Sequence, residues 1–191
     1  MDYKIKEIAN SICQISNHAL EEIENLLRPK TIGKGTVFIR EGQGIQLEYF
    51  LLEGICKSYL ISPEGEEVTI SFFTSKSILS PYTTRVNNQR SLLNFRALTD
   101  VHLASMDAAA FEQLMIENLE IRNFGNVVLR KELALKVDKE IGLAALTAKE
   151  RLLAFRERYP SLENQIPHTD IASYLGITNV SLSRLRKDLS R

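Results

Sequence analysis

The sequence has few of the residues on which metal and redox sites depend. It contains two cysteines, three histidines and no tryptophan among 191 residues. Cys13 and Cys56 form no CxxC pair and are too few to hold an iron–sulfur cluster of four thiolates, so we predict buried, reduced thiols. His18, His102 and His168 are scattered without zinc-ligand or catalytic-triad spacing, and no metal site is expected.

Long apolar runs and an excess of one charge are also absent. No run approaches the roughly 20 residues that cross a membrane, and a signal-peptide pattern is missing, so we expect a cytoplasmic protein without a membrane partner. The 24 basic and 24 acidic residues balance, yet residues 149–191 hold eight basic and five acidic residues, a net charge of +3. No nucleophile–base pair, carboxylate pair or phosphate-cradling glycine loop is present, so an enzyme is not expected.

Residues 165–191 carry the most informative pattern, because they predict two short amphipathic helices joined by a turn with one glycine. Pro167 and Asp170 suit the first turn of a helix, and Gly176 suits its left-handed end. Each helix has one apolar stripe: Ile171, Ala172 and Leu175 in the first, Leu182, Leu185 and Leu189 in the second. This spacing is typical of a DNA-reading helix-turn-helix, although a helical hairpin that only caps a larger domain is the alternative.

The second of these helices also presents a polar face that fits a DNA groove. Arginine pairs with guanine, asparagine with adenine, and valine contacts a thymine methyl group. Four residues are therefore predicted to read bases: Asn179, Val180, Ser183 and Arg184. Four more are predicted to contact phosphates: Thr178, Ser181, Arg186 and Lys187. Thr178 is also a suitable N-cap for the helix.

The first half of the chain changes from helical to strand-like patterns. Residues 1 to about 29 read as helical, with a cap at Ser16 or Asn17 and a stop at Pro29. Six short β-branched and aromatic runs follow, separated by glycine turns: 37–39, 49–52, 58–61, 68–73, 92–97 and 101–106. Pro63 and Gly65 fit a tight turn. Strands this short and regularly spaced predict a barrel or sandwich.

A long helix is predicted from about Glu120 to about residue 145, after a shorter one capped by Asp107. Its apolar residues lie on several sides, so we expect one face on the barrel and one in a dimer seam. Four residues are predicted for that dimer helix: Ile121, Phe124, Val128 and Leu135. A helix buried only within its own chain is the alternative. A capping box at residues 147–150 then starts a further helix, and a polar loop over residues 161–165 follows it.

Together these elements resemble the Crp/Fnr family of transcription regulators. The resemblance spans nearly the whole chain and rests on four stretches in order: residues 35–42 (GTVFIREG), 49–54 (YFLLEG), 63–70 (PEGEEVTI) and 170–178 (DIASYLGIT). It implies an α+β fold with an N-terminal helix and a double-stranded β-roll of the cyclic-nucleotide-binding type. A long dimerisation helix and a winged-helix-like helix-turn-helix lacking most of the wing complete it. The implied domains are residues 1–119 (sensor), 120–145 (dimerisation helix and hinge) and 146–191 (DNA binding).

The resemblance weakens at the nucleotide pocket. Family members that bind cyclic nucleotides carry Gly-Glu-Leu, whose Glu takes the ribose hydroxyl, and then Arg-Ser or Arg-Thr, whose Arg pairs with the phosphate. Arg90 and Ser91 match the second part, but Ser80, Pro81 and Tyr82 replace the first. Pro81 can neither accept from ribose nor donate an N–H, so cyclic AMP is not expected in the usual manner. Another small ligand remains open, in a possible pocket of five residues: Ser80, Tyr82, Thr83, Arg90 and Ser91.

Two functions from different classes follow. The first is a homodimeric, sequence-specific regulator that reads an inverted repeat in double-stranded DNA, with RNA polymerase as a further candidate partner. The second is a ligand-sensing or protein-interaction module whose helical tail contacts a protein. No resident cofactor is predicted for either.

Overall fold

A computed structural model describes residues 2–79 and 90–189 of the chain, and side chains from residue 4. Among these residues the helices are α1 Asp2–Ile12, α2 Asn17–Leu26, α3 Ala108–Glu117, α4 Leu119–Ala145, α5 Ala148–Arg158, α6 His168–Leu175 and α7 Asn179–Leu189. The strands are β1 Arg28–Ile32, β2 Val37–Ile39, β3 Leu47–Glu53, β4 Ile55–Ile61, β5 Glu67–Thr74, β6 Ser77–Leu79, β7 Asn94–Ala97 and β8 Val101–Asp107. The predicted α+β fold with a β-roll and helices is confirmed.

The strands form two four-stranded sheets, in the orders β1-β8-β3-β6 and β2-β7-β4-β5. Side chains alternate between the two faces of a strand, so successive residues of β3 have opposite environments. Tyr49 and Leu51 pack between the sheets, whereas Phe50 and Leu52 pack against helices. The core between the sheets and the core beneath the helices therefore share one sheet, which is buried on both faces.

The helical core joins α1 and α2 to α3 and the first turns of α4. Its fully buried members include Ile5, Ile23 and Ile121. Ser16 caps α2 by accepting a hydrogen bond from the Ala19 N–H, as the sequence predicted. Ser16 also hydrogen-bonds Glu120 at the start of α4, which ties the two helices together and lowers the pKa of the Glu120 carboxyl.

Two strands were not predicted. Pro29 does not simply end a helix; it lies within β1, which is an edge strand where a missing N–H is tolerated. The short strand β6 pairs with β3 through residues 77–79. Both strands lie in segments whose sequence alternates too weakly to identify them, and only pairing with β8 and β3 gives them their conformation.

Local signals placed most boundaries correctly. Asp107 caps α3 by accepting from the Ala110 N–H at 2.9 Å, and Thr147 and Glu150 form the predicted capping box of α5. The Gly65 N–H donates to the Ser62 carbonyl at 2.9 Å, which closes the predicted turn between β4 and β5. Among the described residues no helix is long and apolar enough to cross a membrane.

The chain divides into two compact units. The first comprises residues 1–58 and 72–132, and the second residues 59–71 and 133–191. The division predicted at residues 119 and 145 treated the long helix as a separate segment. That division stays a prediction; by packing, the first turns of α4 belong to the β-roll unit and the later turns to the unit that contains α5 to α7.

Candidate functional site

The helix-turn-helix forms as the sequence predicts. Gly176 ends α6 in the left-handed conformation, at φ +66°, and its N–H donates to the carbonyls of Ala172 and Ser173. Thr178 then caps α7, because its Oγ1 accepts a hydrogen bond from the Ser181 N–H at 3.1 Å. Helix α6 begins at His168. Pro167, which was expected in the first turn of this helix, lies immediately before it.

A compact apolar core supports both helices. Ile171, Leu175 and Leu182 are almost fully buried, which confirms the predicted inward stripes at these positions. Tyr174 adds an aromatic cluster with Phe155 and Tyr159, whose ring centroids lie 5.4 to 6.2 Å apart. The orientation of α7 is thus fixed by packing rather than by the helix alone.

The four residues predicted to read bases are all exposed: Asn179, Val180, Ser183 and Arg184. Asn179 and Ser183 are four residues apart, as are Val180 and Arg184, so the two pairs share one face at the start of α7. Val180 keeps 60% of its surface exposed although it is apolar. The structure therefore brings these side chains together on one open surface, which we call the α7 face.

The residues predicted to contact phosphates have different environments. Thr178 and Lys187 are exposed, and Ser181 is half-buried with its hydroxyl 3.0 Å from that of Thr178. Arg186 requires a correction. Its Nε lies 2.7 Å from Glu163 and its Nη1 lies 2.8 Å from Nε2 of His168, so two of its three nitrogens are engaged inside the unit. We assign Arg186 to holding the domain together rather than to DNA.

The partner of Arg186 was missed by the sequence analysis. Glu163 lies in a single turn of 3-10 helix, residues 162–164, where a polar loop was expected. It is buried, and Arg156 donates to both of its oxygens, at 2.7 and 3.1 Å. These hydrogen bonds, followed by the nearby arginine charges, lower the pKa of the Glu163 carboxyl. Nothing in a loop of mixed polar residues signals such convergence.

The same unit contains a second polar junction, between β5, α4 and α6. The Ser173 hydroxyl accepts from the Thr69 N–H at 2.9 Å and donates to the Glu67 carbonyl at 3.0 Å. Lys139 donates to the Ile70 carbonyl at 2.6 Å, and its Nζ lies 4.1 Å from the centroid of the Tyr174 ring. Burial lowers the pKa of Lys139 to about 8, with a smaller effect from Lys136. The β4–β5 turn is thereby fastened to helix α6.

The possible effector pocket lies only partly in the described part of the chain, because Ser80, Tyr82 and Thr83 fall outside it. Arg90 is exposed and donates to the Gly42 carbonyl at 2.6 Å. Ser91 is buried, and its hydroxyl donates to the Leu93 carbonyl at 2.6 Å. Both residues thus support the turn at residues 41–44.

Aromatic side chains occupy part of the space between the two sheets of the roll. Phe38 lies 6.3 Å from Tyr49 and 6.2 Å from Phe95, and Phe73 lies 6.0 Å from Phe95, measured between ring centroids. Burial raises the pKa of the Tyr49 hydroxyl to about 12, so this tyrosine is neutral at physiological pH. The interior of the roll that the structure describes is therefore mainly apolar.

Three of the four residues predicted for the dimer helix have another role. Ile121, Phe124 and Val128 are 0%, 1% and 9% exposed and belong to the helical core of their own chain. Their assignment to a dimer seam is corrected, because no surface remains for a second chain. Leu135 is 42% exposed, so only this position stays available. The heptad spacing in the first half of α4 reflects packing on α1, α2 and the sheet.

The later turns of α4 expose a different set of apolar residues. Leu133, Val137 and Ile141 follow one another at intervals of four and are 64%, 44% and 57% exposed. On a helix with about 100° per residue they form one stripe, which we call the α4 stripe. Leu135 points roughly 160° away from Val137, so it lies on another side.

Comparison with known proteins shows a matching domain and similar regulatory proteins. Residues 29–118, from β1 through α3, match the cyclic nucleotide-binding domain. Regulatory protein HlyX of Actinobacillus pleuropneumoniae is 25% identical over 183 residues, which cover 90% of this chain and 75% of that protein. The fumarate and nitrate reduction regulatory protein of Yersinia pestis is 24% identical, over 90% of this chain and 72% of its own. Residues 29–118 thus form a domain of the cyclic nucleotide-binding type, and over most of its length the chain is similar to bacterial regulatory proteins.

Solved structures agree with the fold of this protein. FixK2 from Bradyrhizobium japonicum superimposes with a TM-score of 0.74 at 20% identity, covering 86% of this chain and 84% of that one. The similarity extends beyond the domain that matches residues 29–118. The sequence relatives are regulatory proteins and not enzymes.

Proposed function

We propose that this protein is a DNA-binding transcription regulator of the Crp/Fnr type that reads a specific sequence as a homodimer. The observation that carries the proposal is the α7 face: four side chains suited to base edges stand together on an exposed helix that follows a helix-turn. Arg184 would pair with guanine, Asn179 with adenine, and the exposed Val180 would contact a thymine methyl group.

The supporting contacts to the phosphate backbone would come from the residues that border the α7 face. Our candidates for these contacts remain Thr178, Ser181 and Lys187. Arg186 is left out, because Glu163 and His168 already engage it. Because Arg186 is engaged by Glu163, the cations of α7 that we propose for contact with DNA are Arg184 and Lys187. Such a small set of cations gives modest affinity for DNA of any sequence, so base contacts would decide where the protein binds.

We further propose that two chains join along the α4 stripe. Leu133, Val137 and Ile141 form a continuous apolar row, and large exposed apolar residues in series are costly unless another surface covers them. A parallel pair of these helices would be related by a two-fold axis, as most homodimers are. The two recognition helices would then enter successive major grooves about 34 Å apart, which requires an inverted-repeat operator.

An effector that adjusts DNA binding remains a proposal. Arg90 and Ser91 hold a turn at the edge of the roll, and a small ligand that engaged Arg90 would have to displace its hydrogen bond to Gly42. Cyclic AMP in the usual manner is not proposed, because Pro81 replaces the residue that would accept the ribose hydroxyl. RNA polymerase is the partner we would expect if the protein activates transcription.

The alternative is a module whose helical tail contacts another protein. The dependence of binding on salt distinguishes the two functions. Binding in a DNA groove weakens steeply as ionic strength rises, in proportion to the number of phosphates contacted. A protein contact through the exposed Val180 and its neighbours would depend much less on salt.

The proposal is tested by selecting bound sequences from a random pool of duplex DNA with the purified full chain. We expect enrichment of an inverted repeat. Arg184→Ala should then lose preference at one base pair in each half-site, at a cost of about 1–3 kcal/mol per contact. Lys187→Ala is the matched control: it should weaken binding to all sequences and reduce the salt slope by about 1.

Two results would count against this assignment. Unchanged base preference in Arg184→Ala would remove the base-reading role of the α7 face. If no sequence is enriched, the selection is repeated with cyclic AMP and with cell extract. Failure under all three conditions would favour the protein-binding tail.

A further inference from the structure

A half-open cavity lies in the second unit, between the last turns of α4, the helix α5 and the end of α6. Its volume is about 240 Å³, and the described residues that line it all belong to this unit. Gly142 and Leu146 line it from α4, at roughly 140° and 180° around the helix from Val137. The cavity therefore faces away from the α4 stripe, and a dimer built on that stripe would leave it uncovered.

Much of the wall of this cavity is apolar. Phe155 and Tyr174 contribute aromatic rings whose centroids lie 5.7 Å apart. Three leucines, Leu143, Leu146 and Leu175, also line it, and the first two are 48% and 38% exposed. Apolar side chains that remain open to water around a concave surface favour a ligand with an apolar body.

The charge of the wall is positive. Its described lining contains three cationic residues, Lys139, Arg151 and Arg158, and one carboxylate, Asp138. The Asp138 carboxylate pairs with Arg158, whose Nη2 lies 3.2 Å from its Oδ2. Among the residues that the structure describes, Lys139 and Arg151 have no carboxylate partner. The lining therefore has an excess of two positive charges, which favours an anion.

Lys139 retains one hydrogen-bond donor. Its Nζ donates to the carbonyls of Thr69 and Ile70, at 3.2 and 2.6 Å, and lies 4.1 Å from the centroid of the Tyr174 ring. An ammonium group has three N–H bonds, so the third is available to a ligand. Burial, and to a smaller extent the charge of Lys136, lowers the pKa of Lys139 to about 8. An anion beside this ammonium group would stabilise its charged form.

Arg151 also retains donors. Its Nε donates to the Leu175 carbonyl at 2.9 Å and its Nη1 to the Leu146 carbonyl at 2.6 Å, which fixes the guanidinium group at the ends of α6 and α4. In the described part of the chain its Nη2 has no hydrogen-bond partner. A guanidinium group held in one orientation is well suited to recognise a carboxylate.

We propose that this cavity binds a small carboxylate with an aromatic or similarly compact apolar body. The carboxylate lies towards Lys139 and Arg151, and the body lies against Phe155 and Tyr174. This site is independent of the DNA-binding function proposed above, since binding to it is measured without DNA. It is also separate from the possible pocket at Arg90.

Benzoate is the probe of this site, and benzamide and benzylamine are its neutral and cationic counterparts of similar shape. Each compound is titrated with the purified full chain at pH 7 and its binding is followed by NMR of the compound. We expect benzoate to bind at least about tenfold more tightly than benzamide, and benzylamine not to bind. Equal binding of benzoate and benzamide would overturn the proposal.

Lys139→Gln tests the charge of the site, and Lys136→Gln is the matched control. Lys136 lies on the same helix and its Nζ lies 3.0 Å from the Ser71 hydroxyl, but it is not among the described residues that line the cavity. The preference for benzoate over benzamide should fall at least about fivefold in Lys139→Gln and stay unchanged in Lys136→Gln. An equal fall in both variants would show that benzoate responds to the general charge of α4 and would overturn the proposal.

A second variant and a dilution series complete the test. If Lys139→Gln does not fold, Arg158→Gln replaces it. Benzoate should then bind several-fold more weakly, because the Asp138 carboxylate loses its partner and repels the anion. Unchanged affinity in Arg158→Gln would contradict the assignment. So would benzoate binding that weakens as the protein concentration rises, since a second copy of the chain would then cover the cavity.

Discussion

Glu163 is the residue on which two arginines of the second unit converge. Its carboxylate accepts from Arg156 at two points and lies 2.7 Å from Nε of Arg186, which joins the end of α5 to α7. This cluster differs from a surface salt bridge because Glu163 is mostly buried and is the counter-charge of both arginines, so removing it leaves two guanidinium groups without one. Arg186 therefore helps to fix α7 within the second unit.

Replacing Glu163 by Gln should lower the free energy of unfolding by about 1–3 kcal/mol, because two partly buried guanidinium groups lose their negative counter-charge and one of the two acceptor oxygens. The effect depends on pH. The pKa of Glu163 in the folded protein lies below its usual value of 4.5, so its stabilisation is present above that value and is lost as pH falls through the folded-state pKa. Urea unfolding at pH 7 and at pH 3.5 measures both effects.

The exposed Glu157, near the end of α5, is the control. Glu157→Gln should change the free energy of unfolding by less than about 0.5 kcal/mol. A Glu163→Gln variant with the stability of Glu157→Gln would show that the cluster does not hold α7.

At the scale of the element, the turn between α6 and α7 depends on one glycine. Gly176 adopts φ +66°, and a Cβ there would lie 3.2 Å from Cδ2 of Leu143. Gly65, in the turn between β4 and β5, has a similar φ of +84°, but a Cβ there would meet nothing within 4 Å. Both glycines therefore need a left-handed backbone conformation, but only Gly176 has a close neighbour, Leu143.

Ala at either glycine should destabilise the fold by about 1 kcal/mol, because side chains disfavour the left-handed region. Gly176→Ala should cost more than Gly65→Ala, since Leu143 must also move. Thermal unfolding of both variants, compared with the unaltered protein, measures the difference. Equal losses of stability would mean that the Leu143 side chain moves aside without cost. The left-handed backbone conformation alone would then explain why position 176 is a glycine.

For the whole molecule, the question is which side of α4 meets a second chain. The first turns of the helix are occupied, since Ile121 and Phe124 are buried in their own chain. The α4 stripe of Leu133, Val137 and Ile141 is exposed, and Leu135 is exposed on another side. A dimer built on the stripe would leave Leu135 outside the interface.

Ile141→Asp should therefore weaken dimerisation by at least about tenfold, because a charge replaces an apolar side chain at the seam. Leu135→Asp on the same helix is the matched control and should leave the dimer intact. Sedimentation of both variants over a range of concentrations gives the dissociation constants. If Leu135→Asp separates the chains and Ile141→Asp does not, the seam lies at the heptad position predicted from the sequence.

The sequence by itself determined the features whose cause is local. Caps at Ser16, Asp107 and Thr147, the glycine at the helix-turn and six of the described strands follow from backbone preferences and hydrophobic period, which a linear pattern carries. The exposure of the α7 face also followed, because the opposite side of the helix is apolar.

Only the tertiary structure decided which apolar and charged residues meet. Heptad spacing along α4 could not reveal that α1, α2 and the sheet already cover Ile121, Phe124 and Val128. Nor could the sequence distinguish Arg184, which is exposed, from Arg186, which is paired with Glu163. Burial and pairing depend on residues distant in the chain, so the ion cluster of the second unit appears only once those residues are brought together.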